Sequence, residues 1–244
     1  MINIILAAGD GKRFINYKLP KLLLKVKNKP LFERAANSLP KKNDFIFVLK
    51  KKYYKKHKEL KNIIKKKFAN SKIFLINKTT KGQASTLYKI RKMVNLNDPI
   101  LVTSTDICFS YNESILKKYI SNKTNIIFVG NPSKEMKRNP NQFGWVRSDK
   151  KNNILKISCK KKIKGNSKKD KVILGAFAFY SFKAFLDGYK NMIKKKAKIN
   201  NEYYLDLVMN ESNLKNKTKI ILVKKFINWG TPVEYEINKN KILK

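Results

Sequence analysis

Short apolar runs alternate with helical patterns through the first hundred residues, and this alternation most narrows the folds open to the chain. The runs Ile2–Ala7 (INIILA), 44–49 (DFIFVL), 72–76 (KIFLI) and 99–104 (PILVTS) are brief and nearly continuous, as strands buried on both faces are. Between the first two, 29–39 (KPLFERAANSL) reads as a helix beginning at Pro30, since proline suits the first helical position. Tyr53, His57, Leu60, Ile64 and Phe68 fall three or four residues apart, which predicts one helix with a core-facing stripe. Thr79-Thr80-Lys81-Gly82 turns into a helix carrying Leu87, Ile90 and Val94. Strand–helix repetition of this kind gives right-handed βαβ units and a mostly parallel sheet flanked by helices.

The second half has another rhythm. Segments 124–129, 144–147, 154–157 and 172–180 read as strands, 181–194 and 202–211 as helices, and 219–223 as a late strand. Trp229-Gly230-Thr231-Pro232 opens a last helix, and 160–171 (KKKIKGNSKKDK) is a charged loop without apolar period. No repeat and no compositional break divides the 244 residues, so the expectation is one domain over 1–244.

The first strand runs into Leu6-Ala7-Ala8-Gly9-Asp10-Gly11-Lys12-Arg13-Phe14, with Pro20-Lys21 just beyond. Open α/β sheets bind ligands at the carboxyl ends of their strands. Glycine at 9 and 11 lets backbone N–H groups approach phosphate oxygens, and Arg13 and Lys21 add charge. The dinucleotide fingerprint fails, because position 14 is Phe and the second strand ends in Leu49-Lys50-Lys51 rather than an acid. A P-loop fails too, because Gly11 precedes Lys12-Arg13 and not Lys-Ser/Thr.

Composition adds bounds. With 42% hydrophobic residues a sizeable core can form. No apolar run approaches the roughly 18 residues of a membrane span, and Ile2 to Ala8 is too short for a secretory signal. Cys108 and Cys159 lack metal or redox spacing, which suggests reduced thiols and a cytoplasmic protein. The net charge of +41 invites a nucleic-acid reading, yet 52 of the 57 cations are Lys, spread along the chain. Arg, with its bidentate fork, dominates base and phosphate readers, so the charge reads mostly as solvated surface, with no specific nucleic acid and no membrane as partner.

The pattern L-A-A-G-x-G-x-R-F followed by P-K-x-L resembles the opening of the sugar-1-phosphate nucleotidyltransferase family, continuing through Lys29-Pro30-Leu31. Thr80 to Thr86 resembles the family's turn beside the nucleobase, and 99–106 its strand ending in a metal-binding Asp. Phe143-Gly144, 154–160 and Gly175-Ala176-Phe177 are similar to its acceptor segments, and Glu202-Tyr203-Tyr204 and Trp229-Gly230-Thr231-Pro232 to its closing motifs. The resemblance implies a Rossmann-like α/β fold, with a nucleotide-binding half over about 1–110 and a mixed acceptor-binding half over about 111–244.

It also implies the reaction R–OPO₃²⁻ + NTP → NDP–R + pyrophosphate, with Mg²⁺ as cofactor and an NTP and a phosphorylated small molecule as partners. Leu6, Ala7, Ala8, Gly9, Gly11, Gly82, Gln83 and Ser85 would bind nucleotide. Arg13 would neutralise the leaving pyrophosphate, and Lys21 the α-phosphate and acceptor phosphate. Gly144, Lys160, Gly175 and Glu202 would bind the acceptor, and Asp106 and Asn228 the metal. Structural alternatives stand beside these: Asp106 as a turn former, Gly82-Gln83 as a plain helix start, Glu202 as a helix cap, Lys160 as surface charge like Lys161 and Lys162. Phe177, Phe179, Tyr180, Trp145 and Trp229 could line an acceptor pocket or fill the core.

Two positions depart from the family pattern. Many relatives have Asp where Asn228 stands, and Glu-Lys where Cys159-Lys160 stands. The expected activity is a Mg²⁺-dependent nucleotidyltransferase making a precursor of surface polysaccharide, such as capsule, or another glycoconjugate. Alternatives are a cytidylyltransferase for a non-sugar phosphate, a relative that binds nucleotide without catalysis, and a non-enzymatic nucleic-acid-binding protein. The sequence does not set the nucleobase or the oligomeric state.

Overall fold

The computed structural model describes residues 1–165, 169–213 and 218–243. Internal contacts divide the chain into two compact units, Met1–Thr80 with Leu101–Ser110 and Lys225–Lys244, and Lys81–Ile100 with Tyr111–Lys224. The units follow chain order only in part: 81–100 lies with the later segment and 225–244 with the earlier one.

In the first unit the strands stand in the order Ile100–Ser104, Ile2–Ala7, Asp44–Lys50, Ser71–Ile76. Ile2–Ala7 pairs in parallel with Asp44–Lys50, and Asp44–Lys50 with Ser71–Ile76. The apolar runs are continuous because both faces are covered: Ile4, Ile5, Phe47, Val48 and Leu49 have no exposed surface. Phe68 anchors the covering helix, its ring 5.0 Å from that of Phe45 and 5.1 Å from that of Phe47.

The stripe from Tyr53 to Phe68 is not one helix. It breaks at His57 (φ −111°, ψ 96°) into Lys51–Lys56 and Lys58–Lys67. The second piece buries Leu60 and Ile64, whereas the first buries nothing and sets Lys51 against Lys55 and Lys52 against Lys56, like charges one turn apart. The helix expected over 29–39 covers Leu31–Ala36, with Pro30 in extended backbone as its N-cap.

Two short strands absent from the sequence reading close this unit. Ile107–Ser110 pairs antiparallel with Lys225–Asn228, placing Asn228 opposite Ile107. The final helix, Pro232–Asn238, begins with a capping box between Thr231 and Glu234.

The second unit carries a mixed sheet. Lys171–Phe179 lies between Trp145–Ser148 and Asn125–Gly130, antiparallel to both. Ile154–Ser158 pairs antiparallel outside Trp145–Ser148, and Thr218–Leu222 runs parallel to Asn125–Gly130. The fold is thus the expected α/β class, mostly parallel and helix-flanked, with a mixed second part. Two helices here begin at side-chain caps the sequence reading passed over, Asn112 before Glu113–Ser121 and Ser133 before Lys134–Arg138. The helix from Gln83 stops at Lys89, and Val94 is buried beyond it. In the charged loop, residues 166–168 lie outside the described residues, while Asp170 is buried and accepts from Arg147 Nε and Nη2 at 2.7 and 2.9 Å.

Helices Phe182–Lys194 and Leu205–Asn213 approach closely at Gly188. A Cβ there would lie 2.7 Å from Ser212 Oγ and 3.0 Å from Val208 Cγ1 and the Val208 carbonyl. Gly188→Ala should therefore strain this contact and cost about 1–3 kcal/mol, read as a lower midpoint in urea with an unchanged slope.

Candidate active site

Leu6, Ala7 and Ala8 are buried, and the chain emerges at Gly9. A Cβ on Gly9 would meet nothing within 4 Å, so the backbone there is open to a ligand. Gly11 has φ +63°, and a Cβ on it would stand 3.3 Å from Lys21 Cβ. Glycine here serves both the left-handed turn and the approach of Lys21. Asp10 would repel phosphate, but it is neutralised: the ammonium of buried Lys50 contacts its Oδ1, and Thr79 Oγ1 donates to its Oδ2 at 2.6 Å. Burial lowers the Lys50 pKa, and the charge of Lys52 adds to that.

Lys21 lies at the centre of the first unit's polar cluster. Its Nζ donates to Asp106 Oδ2 at 2.6 Å and to the Gly230 carbonyl at 3.0 Å, and it stands 4.9 Å above the Phe14 ring. Arg13 Nη1 donates to the same carbonyl at 3.4 Å. Asp106 accepts from Ser104 Oγ at 2.5 Å through its other oxygen, and the Trp229 N–H donates to the Asp106 carbonyl at 2.7 Å. Burial pushes the Asp106 carboxyl up, but the Lys21 charge and the Lys21 and Ser104 hydrogen bonds outweigh it, and the net pKa is lowered.

Asn228 sits on the turn that supplies the Gly230 carbonyl. Its Nδ2 donates to Glu234 Oε1 at 2.6 Å, and its Oδ1 accepts from the Gly230 N–H at 3.2 Å. Glu234 Oε2 accepts from Thr231 N and Oγ1, both at 3.1 Å. Arg13, Lys21, Asp106 and Asn228 are therefore joined through one turn. No group of three or more His, Cys, Asp or Glu that could hold a metal occurs among the described residues. The donor set, one ionised carboxylate and one amide oxygen, fits Mg²⁺, which takes one or two carboxylates and draws its other oxygens from phosphates and water.

In the second unit, Gly82 has φ +98° and packs on backbone: a Cβ would lie 2.6 Å from the Tyr203 carbonyl oxygen and 2.7 Å from its nitrogen. Tyr203 N donates to the Lys81 carbonyl at 2.8 Å and Ala84 N to the Tyr203 carbonyl at 3.0 Å, so the Glu202-Tyr203-Tyr204 segment lies against the turn before Gln83. Gln83 opens the helix, and Ser85 Oγ lies 3.4 Å from Tyr189 Oη. Glu202 is not a helix cap. It bridges to Ile199, receives the Tyr204 hydroxyl, and the helix begins at Leu205.

The acceptor candidates separate. Lys160 is half-buried with φ +54°, its Nζ donating to the Gln142 carbonyl and standing 5.5 Å over the Tyr204 ring, whereas Lys161 and Lys162 are exposed. Gly175 (φ +68°) falls where the Lys171–Phe179 strand slips register. Gly144 makes room for Asp206, whose Oδ2 would lie 2.1 Å from a Cβ there. Asp206 escaped the sequence reading: it is a buried carboxylate that accepts a hydrogen bond from the Cys159 thiol and lies near the Lys160 charge. Its only signal was an acid amid apolar residues of a helix. Of the aromatic residues considered, Trp145, Phe177, Phe179 and Trp229 are core, and Tyr180 is half-buried. Both cysteines are buried and free, and no helix among the described residues is long and apolar enough to cross a membrane.

The chain matches the nucleotidyl transferase family model over residues 2–181. This chain belongs to that family, the sugar-1-phosphate nucleotidyltransferases. It is 30% identical over 226 residues to the bifunctional protein GlmU of Buchnera aphidicola subsp. Schizaphis graminum, covering 88% of this chain and 44% of that protein. The chain thus spans less than half the length of that relative. Among solved structures, the nucleoside-diphosphate-sugar pyrophosphorylase of Vibrio cholerae RC9 superposes with a TM-score of 0.77 at 19% identity, covering 97% of this chain and 98% of that one. The inositol-1-phosphate CTP transferase of T. maritima superposes with a TM-score of 0.68 at 16% identity, covering 96% and 90%. At these identities the two structures establish a shared fold.

Burial raises the Asp206 carboxyl to about 6, against the Lys160 charge and the Cys159 hydrogen bond, which lower it. A carboxyl raised on folding favours the folded state below its unfolded value and loses that contribution as pH rises through about 6. Asp206→Asn should therefore stabilise the protein at pH 7.5 by on the order of 2 kcal/mol. The advantage should vanish as pH falls toward about 4, measured by thermal melting across the pH range.

Proposed function

We propose that this chain transfers a nucleoside monophosphate from an NTP to a sugar 1-phosphate or a similar small phosphate monoester and releases pyrophosphate. The observation that carries this reading is the Lys21 ammonium, held between Asp106 and the Gly230 carbonyl in the same unit as the open backbone at Gly9 and the Arg13 guanidinium. A phosphate monoester, with a second pKa near 6, is largely ionised at neutral pH. It can attack without a general base.

An acceptor oxygen forms a bond to the α-phosphorus as the bond to the bridging oxygen breaks, and the electron pair leaves with pyrophosphate. The work left to the protein is alignment and charge neutralisation. Backbone N–H groups around Gly9 and Gly11 hold the triphosphate, Lys21 meets the α-phosphate and incoming phosphate, and Arg13 meets the departing one. Asp106 and Asn228 would hold Mg²⁺, which when bound supplies Lewis-acid stabilisation of phosphate charge. Leu6, Ala7 and Ala8 of the first unit, and Gly82, Gln83 and Ser85 of the second, are also assigned to the nucleotide. Gly144, Lys160, Gly175 and Glu202 are assigned to the acceptor, Gly144 through the space it leaves for Asp206. The family resemblance supports reading the product as an activated sugar for surface polysaccharide or another glycoconjugate.

The test is pyrophosphate release with each of the four NTPs and dTTP against a panel of sugar 1-phosphates and polyol phosphates. One NTP–acceptor pair is expected to turn over. No release from any pair, together with steeply salt-dependent binding to polyanions, overturns the proposal in favour of a nucleic-acid-binding role. Lys21→Ala should lower kcat roughly a hundred- to a thousand-fold while melting remains cooperative; near-normal turnover would remove Lys21 from the chemistry.

A further inference from the structure

The closing turn contains an acid that the proposed reaction leaves unused. Glu234 is 5% exposed, and its two oxygens divide their duties: Oε2 caps the last helix through Thr231, and Oε1 accepts from Asn228 Nδ2. We infer that Glu234 is a positioning residue for the cation site, fixing which end of the Asn228 amide a metal can meet. The inference rests on the reading that Asn228 is among the metal's ligands.

A carboxylate only accepts hydrogen bonds, so Glu234 can hold the nitrogen end of Asn228 but not its oxygen. With Nδ2 committed at 2.6 Å, Oδ1 is turned to the Gly230 N–H at 3.2 Å, on the turn whose carbonyl carries Lys21 and Arg13. An amide oxygen has two lone pairs. The Gly230 N–H uses one, and the other is available to a cation. A reversed amide would set NH₂ against the Gly230 N–H, donor against donor, and present hydrogens to the cation.

Glu234→Gln separates this role from capping, since Gln caps as Glu does. Its NH₂ would face Asn228 and favour the reversed amide. Asn228→Asp alone sets a second carboxylate against the buried one of Glu234. The double variant Asn228→Asp with Glu234→Gln restores one donor facing one acceptor, with the ends exchanged and a carboxylate oxygen still on the Gly230 N–H.

The test has two readouts, neither of them activity. Mn²⁺ alone is titrated and followed by the electron paramagnetic resonance of the free ion, with Asp106→Ala as the control that locates the site. Metal-free melting is measured for the same proteins. Glu234→Gln should raise the Mn²⁺ Kd roughly 10–100-fold, and the double variant should bind close to wild type. Without metal, Asn228→Asp should melt below both wild type and the double variant. If wild type shows no Mn²⁺ binding that depends on Asp106, the metal reading falls and the inference with it. If that binding is present but Glu234→Gln matches wild type, or the double variant binds no better than the weaker single variant, the inference alone is overturned. Should Glu234→Gln fail to fold, the comparison of Asn228→Asp with the double variant decides.

Discussion

One ammonium group organises the first unit. Lys21 is shared by the carboxylate of Asp106 and the carbonyl of Gly230, residues 85 and 209 positions further along the chain. Both side chains of the ion pair are largely withdrawn from water, 17% and 26% exposed. Removing one partner of this half-buried pair leaves the other charge uncompensated in a site with little water around it. Under the proposed function this links stability to ligand binding: a phosphate that drew the ammonium toward itself would leave Asp106 short of positive charge, and a divalent cation would replace what was withdrawn.

The scarcity of acids sharpens this arrangement. Only 16 residues are Asp or Glu against 57 Lys and Arg. Several of the acids are buried and engaged: Glu33 with Lys67, Asp170 with Arg147, Glu234 with Asn228. The cations outnumber their partners and stay mostly at the surface, while the acids mark where the fold has a specific requirement. In a chain this basic, an interior carboxylate is more informative than any cluster of lysines.

That contrast governs what could be read from the sequence. The parallel strands were legible because burial on both faces leaves continuous apolar runs, and the glycine loop because its conformation leaves few residue choices. The break at His57 was hidden, since the apolar spacing continues across it while the charges that oppose a single helix lie on the other face. The strand Lys225–Asn228 was missed because four residues next to a lysine pair carry no period, and its partner lies more than a hundred residues away. In the site, Arg13, Lys21 and Asp106 stood out by motif. Asp206 and Glu234 did not: Asp206 takes its role from Cys159 and Gly144, neighbours only in three dimensions, and Glu234 from a side-chain bond to Asn228 at a spacing of six that no local motif marks. The Thr231–Glu234 spacing did hold a capping signal, yet a cap alone gives no hint of the second bond to Asn228.

The interleaving of the two units also bears on how the protein is made. Lys21 and Asp106 leave the ribosome early, but the carbonyl that orients Lys21 and Arg13 belongs to Gly230, in the segment 225–244 that completes the first unit. The unit translated first is therefore finished last. Throughout elongation its cations wait beside an incomplete turn, and a chain stalled short of that segment would hold the ammonium and its carboxylate without the strand and helix that fix them.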